Sequence, residues 1–247
     1  MPMFYGAAGG HMVFRPLGKT VCIERDLMVA FGLRSLLVMS LALWSWGAVA
    51  AEWEYDEQNA GYINMVCAGC HGEYGQGGGG GEYPRIAGLP EAYIAAQLRL
   101  FKDQKRVNLP MIPFTKEREL PEPDLRDISR YLSGIQLRNQ FPPTDTVMDG
   151  LERLKQAKQV VQIPRYEGDI DAGKGIYRAD CRECHGNDGM GKKDVPQLAG
   201  QFSGYLLKQM KEFVAGHRKH EYTEEMFSGL TDEDYANLLA YLSILDD

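Results

Sequence analysis

Two stretches of this chain place apolar and polar residues in the same helical order. Asp56 to Cys70 and Asp169 to Cys184 each read as a short helix, opened by an aspartate and stopped at His71-Gly72 or His185-Gly186. A second helix follows in each. Tyr93, Ala96, Leu98, Leu100 and Phe101 form one apolar stripe, and Tyr205, Leu206, Met210 and Phe213 form its counterpart, expected as core. The third helix starts near Pro123-Asp124 in the first copy and at Thr231 in the second, where Thr231-Asp232-Glu233-Asp234 resembles a capping box with Asp in place of Glu. No segment alternates strictly enough for a sheet, so the pattern predicts an all-α chain.

The likeness is an internal repeat. Cys67 and Cys181 differ by 114 positions; Pro84 and Pro196, Ala87-Gly88 and Ala199-Gly200, Tyr93 and Tyr205, Gln97 and Gln209, Phe101 and Phe213, and Arg106 and Arg218 all differ by 112; Tyr131-Leu132-Ser133 and Tyr241-Leu242-Ser243 differ by 110. The chain therefore divides into a leader (1–50), a first module (51–136), a linker (137–165) and a second module (166–247). The linker has Pro142-Pro143 and Pro164 near its ends, and its amphipathic stretch Leu151 to Val161 is expected as a short helix packed between the modules. Gly75 to Gly81, six glycines with Gln76, lacks the lysine and preceding strand of a phosphate loop and is expected as a flexible surface loop.

Ser35 to Ala51 holds no charged residue. Its apolar centre, preceded by Arg34 and followed by Ala48-Val49-Ala50, has the form of a secretory signal, and the small-x-small end favours cleavage after Ala50 over retention as an anchor. A start at Met28 would give that signal an n-region of ordinary length. The expected mature protein is periplasmic, with no membrane span, and peripheral contact with a membrane stays compatible with it.

Beyond residue 50 the chain carries 23 Lys and Arg against 32 Asp and Glu, a net of −9. An acidic body lacks the basic field that nucleic-acid binding needs, so no nucleic-acid partner is expected. Without Cys22 of the leader, four cysteines remain, as Cys67-Ala68-Gly69-Cys70-His71 and Cys181-Arg182-Glu183-Cys184-His185. C-x-x-C-H is the pattern of c-type haem attachment. Two thiols one helical turn apart can add to the two vinyl groups on one edge of a haem, and the next residue sets an imidazole under the iron. A zinc site would need four ligands converging on one metal, yet these pairs lie far apart in matching contexts. Two covalently bound haem c groups are thus expected, with Cys67, Cys70, Cys181 and Cys184 as attachments. Modules of about eighty residues bury little apolar surface alone, so each haem would also supply core.

The second axial position separates a closed electron carrier from a catalyst, and methionine sulfur closes it and raises the potential. Met111 follows His71 by 40 residues and Met226 follows His185 by 41, both between second and third helices. Met148 falls in the linker, Met190 is five residues past its histidine and Met210 belongs to the helical stripe. Hence His71 and Met111 are the expected ligands of one iron, His185 and Met226 of the other. His217 and His220 have no repeated counterpart and are expected to be exposed. Each proximal histidine needs an acceptor for its Nδ1–H, and the carbonyls of Pro84 and Pro196 are placed to serve.

The succession C-x-x-C-H, Pro-Arg-Ile-Ala-Gly or Pro-Gln-Leu-Ala-Gly, Tyr-x-x-x-Gln, Phe, Arg, Met and a final Tyr-Leu-Ser helix, twice over, resembles dihaem class I cytochromes c of the cytochrome c4 type. The resemblance implies two cytochrome domains in a pseudo-twofold pair, haem propionates near their interface, and one-electron outer-sphere transfer in a bacterial periplasm. Its partners would be redox proteins, a donor and an acceptor, with a terminal oxidase or a dehydrogenase among the candidates. Two rival readings are an electron-accepting subunit of a periplasmic dehydrogenase and a dihaem redox enzyme such as a peroxidase. The chain departs from the pattern in its long linker and in the spacing from Met to the final Tyr, 20 residues in the first copy against 15 in the second.

Overall fold

The computed structural model describes residues 53–143, 147–220 and 226–245. The predicted leader and its Met28 start lie outside the described residues. Trp53–Asp247 forms one compact unit. Its elements are α1 (Glu57–His71), α2 (Glu91–Lys102), α3 (Ile112–Thr115), α4 (Glu122–Gly134), α5 (Gly150–Lys158), α6 (Ile170–Ile176), a π-helical turn (Tyr177–Cys181), α7 (Arg182–His185), α8 (Ser203–Val214) and α9 (Asp232–Leu242). Pairing between extended segments among the described residues is limited to isolated bridges, so the all-α expectation holds.

Each half crosses its first helix over its last. Asp56 caps α1 by accepting from Asn59 N at 2.9 Å, and its own N–H donates to the buried Asp127 of α4. Asp169 caps α6 in the same way, and its N–H donates to Asn237 of α9 at 2.7 Å. The α6–α9 crossing is tight enough to require glycine: a Cβ on Gly173 would land on the Asn237 carbonyl. The caps are 113 positions apart and the first cysteines 114, so the second copy holds one extra residue before its motif. The π turn Tyr177–Cys181 absorbs it, which is how a helix takes an insertion without losing register at its end. Thr231 caps α9 in the predicted capping box with Asp234.

Two separate apolar cores result. One joins Leu89, Ile94 and Ala95 to Leu120, Leu125, Ile128 and Leu132, with Cys67 packed against it; the other joins Tyr177, Cys181, Leu206 and Met210 to Phe227, Tyr235 and Leu238–Leu242, with Met226 packed against it. The first predicted stripe needs correction. Phe101 is buried and Tyr93 and Leu98 pack on the core as predicted, but Ala96 is exposed, and Ile94 and Ala95 are buried beside Phe101.

The linker helix α5 does not pack between the halves. It buries no residue, and Leu151 and Leu154 are more than half exposed. Its spacing is amphipathic, but the linker closes on itself through a bridge between Arg138 and Val160 and reaches the first half by an ion pair from Lys158 to Glu73. The glycine loop also differs from expectation. Gly75 and Gly81 are buried, and a Cβ on Gly77 would strike Phe202 of the second half. Gly72, Gly75 and Gly77 have positive φ and recur, 114 positions on, as Gly186, Gly189 and Gly191 with positive φ too. These glycines shape one turn after each C-x-x-C-H, and the two extra residues of the first copy make its 3-10 turn Gly79–Gly81.

The repeated Tyr, Gln and Arg positions join the halves. Arg106 donates to Gln97 (2.7 Å) in its own half and to Gln209 (2.8 Å) and Tyr205 (3.1 Å) across the interface. Arg218 mirrors it, donating to Gln209 (2.8 Å) at home and to Tyr93 (2.7 Å) and Gln97 (3.2 Å) across. Each guanidinium lies over the phenyl ring of its own half, Phe101 at 4.5 Å and Phe213 at 4.7 Å. Burial presses Arg106 below the usual arginine range, with Arg218 adding to it and the Tyr205 hydroxyl opposing. Arg106→Ala would leave Gln97, Gln209 and Tyr205 short of a charged donor in a dry interface. A loss of about 2–4 kcal/mol in urea unfolding is expected, with a smaller loss for Arg106→Lys, which keeps charge but not the fork.

Candidate haem sites

In both halves the C-x-x-C-H residues ride on the end of the first helical segment. Cys67, Cys70 and His71 close α1; Cys181 ends the π turn, and Cys184 and His185 lie on α7. Gly72 (φ 80°) and Gly186 (φ 86°) turn the chain away, conformations that suit glycine. The exit is then pinned from within: Asn64 donates to the Glu73 carbonyl at 2.9 Å, and the Tyr177 hydroxyl donates to the Gly186 carbonyl at 2.7 Å. The carbonyls of His71 and His185 accept from Gly77 N and Gly191 N.

The histidines are buried and oriented alike. His71 Nδ1 lies 2.8 Å from the Pro84 carbonyl, and His185 Nδ1 lies 2.8 Å from the Pro196 carbonyl, as their spacing predicts. A carbonyl only accepts, so Nδ1 carries the proton and Nε2 keeps its lone pair. Burial lowers the pKa of both rings, opposed by those carbonyls, and at His185 His220 lowers it further. Each is therefore a neutral imidazole whose Nε2 is left free to act as a lone-pair donor.

The thiols suit covalent attachment. All four described cysteines are free of disulfides. Burial pushes the Cys67 thiol up to about 11, and burial followed by Asp180 pushes Cys181 up to about 12. Among the described residues no three His, Cys, Asp or Glu side chains gather to hold a metal ion. Two thiols one turn apart and an imidazole with its Nε2 free, twice, fit two haem c groups.

Met111 and Met226 are both half-buried. Met111 precedes α3, its N–H donating to the Asn108 carbonyl and its own carbonyl accepting from Thr115 Oγ1. Met226 packs against the core that contains Cys181, and the adjoining Phe227 carbonyl accepts from the Tyr235 hydroxyl. Met190 is exposed and Met210 lies in the core. His217 is exposed and paired with Glu212, as expected. His220 is not exposed. Its ring stands 6.3 Å from His185 between centroids, beside Phe213 and Phe227. The sequence comparison of the repeats missed it because His220 matches Asn108, a residue of different chemistry.

Fold and paired motifs define a tandem two-haem, covalently loaded electron-transfer protein. The chain belongs to the cytochrome c family, whose model matches it twice, over residues 59–136 and 170–246. It is similar to the thiosulfate dehydrogenase electron acceptor of Thiomonas intermedia (strain K12), 32% identical over 75% of this chain and 77% of that protein. It is also similar to cytochrome c-552 of Acidithiobacillus ferridurans, 27% identical over 85% of this chain and 86% of that one. Among solved structures, reduced cytochrome c4 from Pseudomonas stutzeri shares the fold, with a TM-score of 0.59, 22% identity and coverage of 77% of this chain and 98% of its own. The two domains thus follow the dihaem class I, c4-type plan and carry two covalently bound haem c groups.

Proposed function

We propose that the chain is a periplasmic electron carrier in which Cys67 and Cys70 tether one haem and Cys181 and Cys184 the other. His71 and Met111 would be the axial ligands of the first iron, His185 and Met226 those of the second. The domains proposed are 51–136 and 166–247, with 137–165 as linker. Among the described residues no helix is long and apolar enough to cross a membrane. The observation that carries the reading is the duplicated 2.8 Å bond from the buried histidine Nδ1 of each C-x-x-C-H to the carbonyl of a proline 13 or 11 residues further on.

Haem supplies a one-electron iron couple at an edge that a partner can approach. The chain's own residues tune it. Pro84 and Pro196 fix ring orientation and tautomer, the two cores exclude water, and the Met111 and Met226 thioethers would favour the ferrous state of a bound haem. Ligand side chains held in a packed shell would reorganise little on oxidation of a bound haem. No substrate bond is made, so the reading is of a carrier and not an enzyme. A net charge of −9 beyond residue 50 favours a docking partner with a basic face and an encounter weakened by salt.

The likeness to a thiosulfate dehydrogenase electron acceptor supports a second reading, in which the chain takes electrons from a dehydrogenase partner as its subunit. Carbon monoxide added to the reduced protein tests the shared premise. Neither haem is expected to bind it promptly; prompt binding at either iron would contradict the closed pair and favour a redox enzyme. Co-purification with a dehydrogenase then separates subunit from free carrier.

A further inference from the structure

The C-terminal site holds a group that its N-terminal counterpart does not. His220 faces His185 with ring centroids 6.3 Å apart and ring planes 23° from parallel. Phe213 and Phe227 meet the His220 ring edge-on at 5.0 Å and 5.6 Å, and stack on each other at 5.8 Å, so the imidazole is boxed in place. Two imidazoles on opposite sides of one metal ion, with bonds of about 2.0–2.1 Å and about 1.2 Å from nitrogen to ring centre, hold their centroids ~6.4 Å apart. The observed 6.3 Å lies close to that spacing, which puts His220 within reach of a metal held by His185. His185 has Nδ1 committed to Pro196, which leaves Nε2 as its uncommitted ring nitrogen.

The matching position in the first half is Asn108, 112 residues earlier. Its carbonyl is occupied by Met111 N and Ile112 N, and an amide side chain is a poor ligand for haem iron. Imidazole is a strong one. The loops differ as well. Three positions separate Asn108 from Met111, and six separate His220 from Met226. His217 does not compete, being exposed and held by Glu212 at 3.2 Å.

We propose that His220 is a reserve sixth ligand of the C-terminal iron, taking that position whenever Met226 leaves it. The proposal rests on the reading of His185 as the fifth ligand. The exchange moves no electron: the Met226 sulfur releases the iron, and the lone pair of a His220 ring nitrogen replaces it. Imidazole lacks the preference of a thioether for ferrous iron, so the potential of this haem alone falls in the exchanged state. The two haems of one chain therefore respond unequally to loss of their methionines.

The test compares single variants of the full haem-loaded protein by ferric spin state, electron paramagnetic resonance and carbon monoxide binding to the reduced form. Met111→Ala is expected to turn high-spin at one haem and to bind carbon monoxide at once. Met226→Ala is expected to stay low-spin with a two-imidazole resonance and to bind at least roughly tenfold more slowly, because a ligand must first dissociate. Met226→Ala combined with His220→Ala should recover the open behaviour. High-spin, fast-binding Met226→Ala would overturn the proposal. If that variant does not accumulate, Met226→Leu, close in volume, asks the same question. His220→Ala alone should retain both methionine-to-iron charge-transfer bands, and loss of one would overturn the reserve role. Failure of the underlying carrier reading is seen separately, as prompt carbon monoxide binding by the unaltered protein.

Discussion

A Cys181→Ser, Cys184→Ser double variant is expected to lose the fold of its C-terminal half along with one haem. The second core is built around the motif: Cys181 lies inside it, Tyr177 and Met210 flank it, and Met226 packs on its edge. A module of about eighty residues gains only about 3–5 kcal/mol from its own apolar core, so removing a buried macrocycle takes it to the margin or past it. Far-ultraviolet circular dichroism should show helical signal falling by close to half, and limited proteolysis should cut first within 166–247. The N-terminal half should keep its haem absorbance but melt earlier, because Arg106, Tyr93 and Gln97 lose their partners on Arg218 and Gln209. Full helicity and an unchanged cooperative melt would show that the haem is cargo and not core.

Met111→Ala is expected to have the largest effect on reactivity. The side chain is half-buried and its backbone is fixed from both sides, by Asn108 and by Thr115. Truncation to a methyl group removes the sulfur without releasing the turn. The expected outcome is one open iron, with carbon monoxide binding rising from none to one equivalent, loss of one of two methionine-to-iron bands, and a lower potential for that haem. Helicity should be nearly unchanged, since α3 is a single turn at the surface. Retention of both bands would take Met111 out of the site.

Much of this was legible because the chain repeats itself. A one-residue slip in the repeat marks the π turn before Cys181, and constant offsets mark Pro84 and Pro196, whose carbonyls the structure finds on the two histidines. Other features were visible as repeats without visible roles. Arg106 and Arg218 were matched by position, but a polar residue repeated in both copies does not say whether it serves its own core or the other copy's. Only the three-dimensional pairing shows that it serves both. Leu151 and Leu154 misled in the opposite sense, since amphipathic spacing describes a face and not what covers it. The glycine loop misled because flexibility was inferred from composition, while Gly75 and Gly77 share their backbone turn with Gly189 and Gly191. His220 was hidden by its unlike counterpart, Asn108; only the approach to His185 discloses it.

The intact mass of the purified polypeptide, recorded under denaturing conditions that release any non-covalent cofactor, tests the central claim most directly. The account predicts the polypeptide mass increased by two haem groups, with tryptic fragments carrying one at Cys67–His71 and one at Cys181–His185. A chain bearing no added mass, or a single haem, would contradict it.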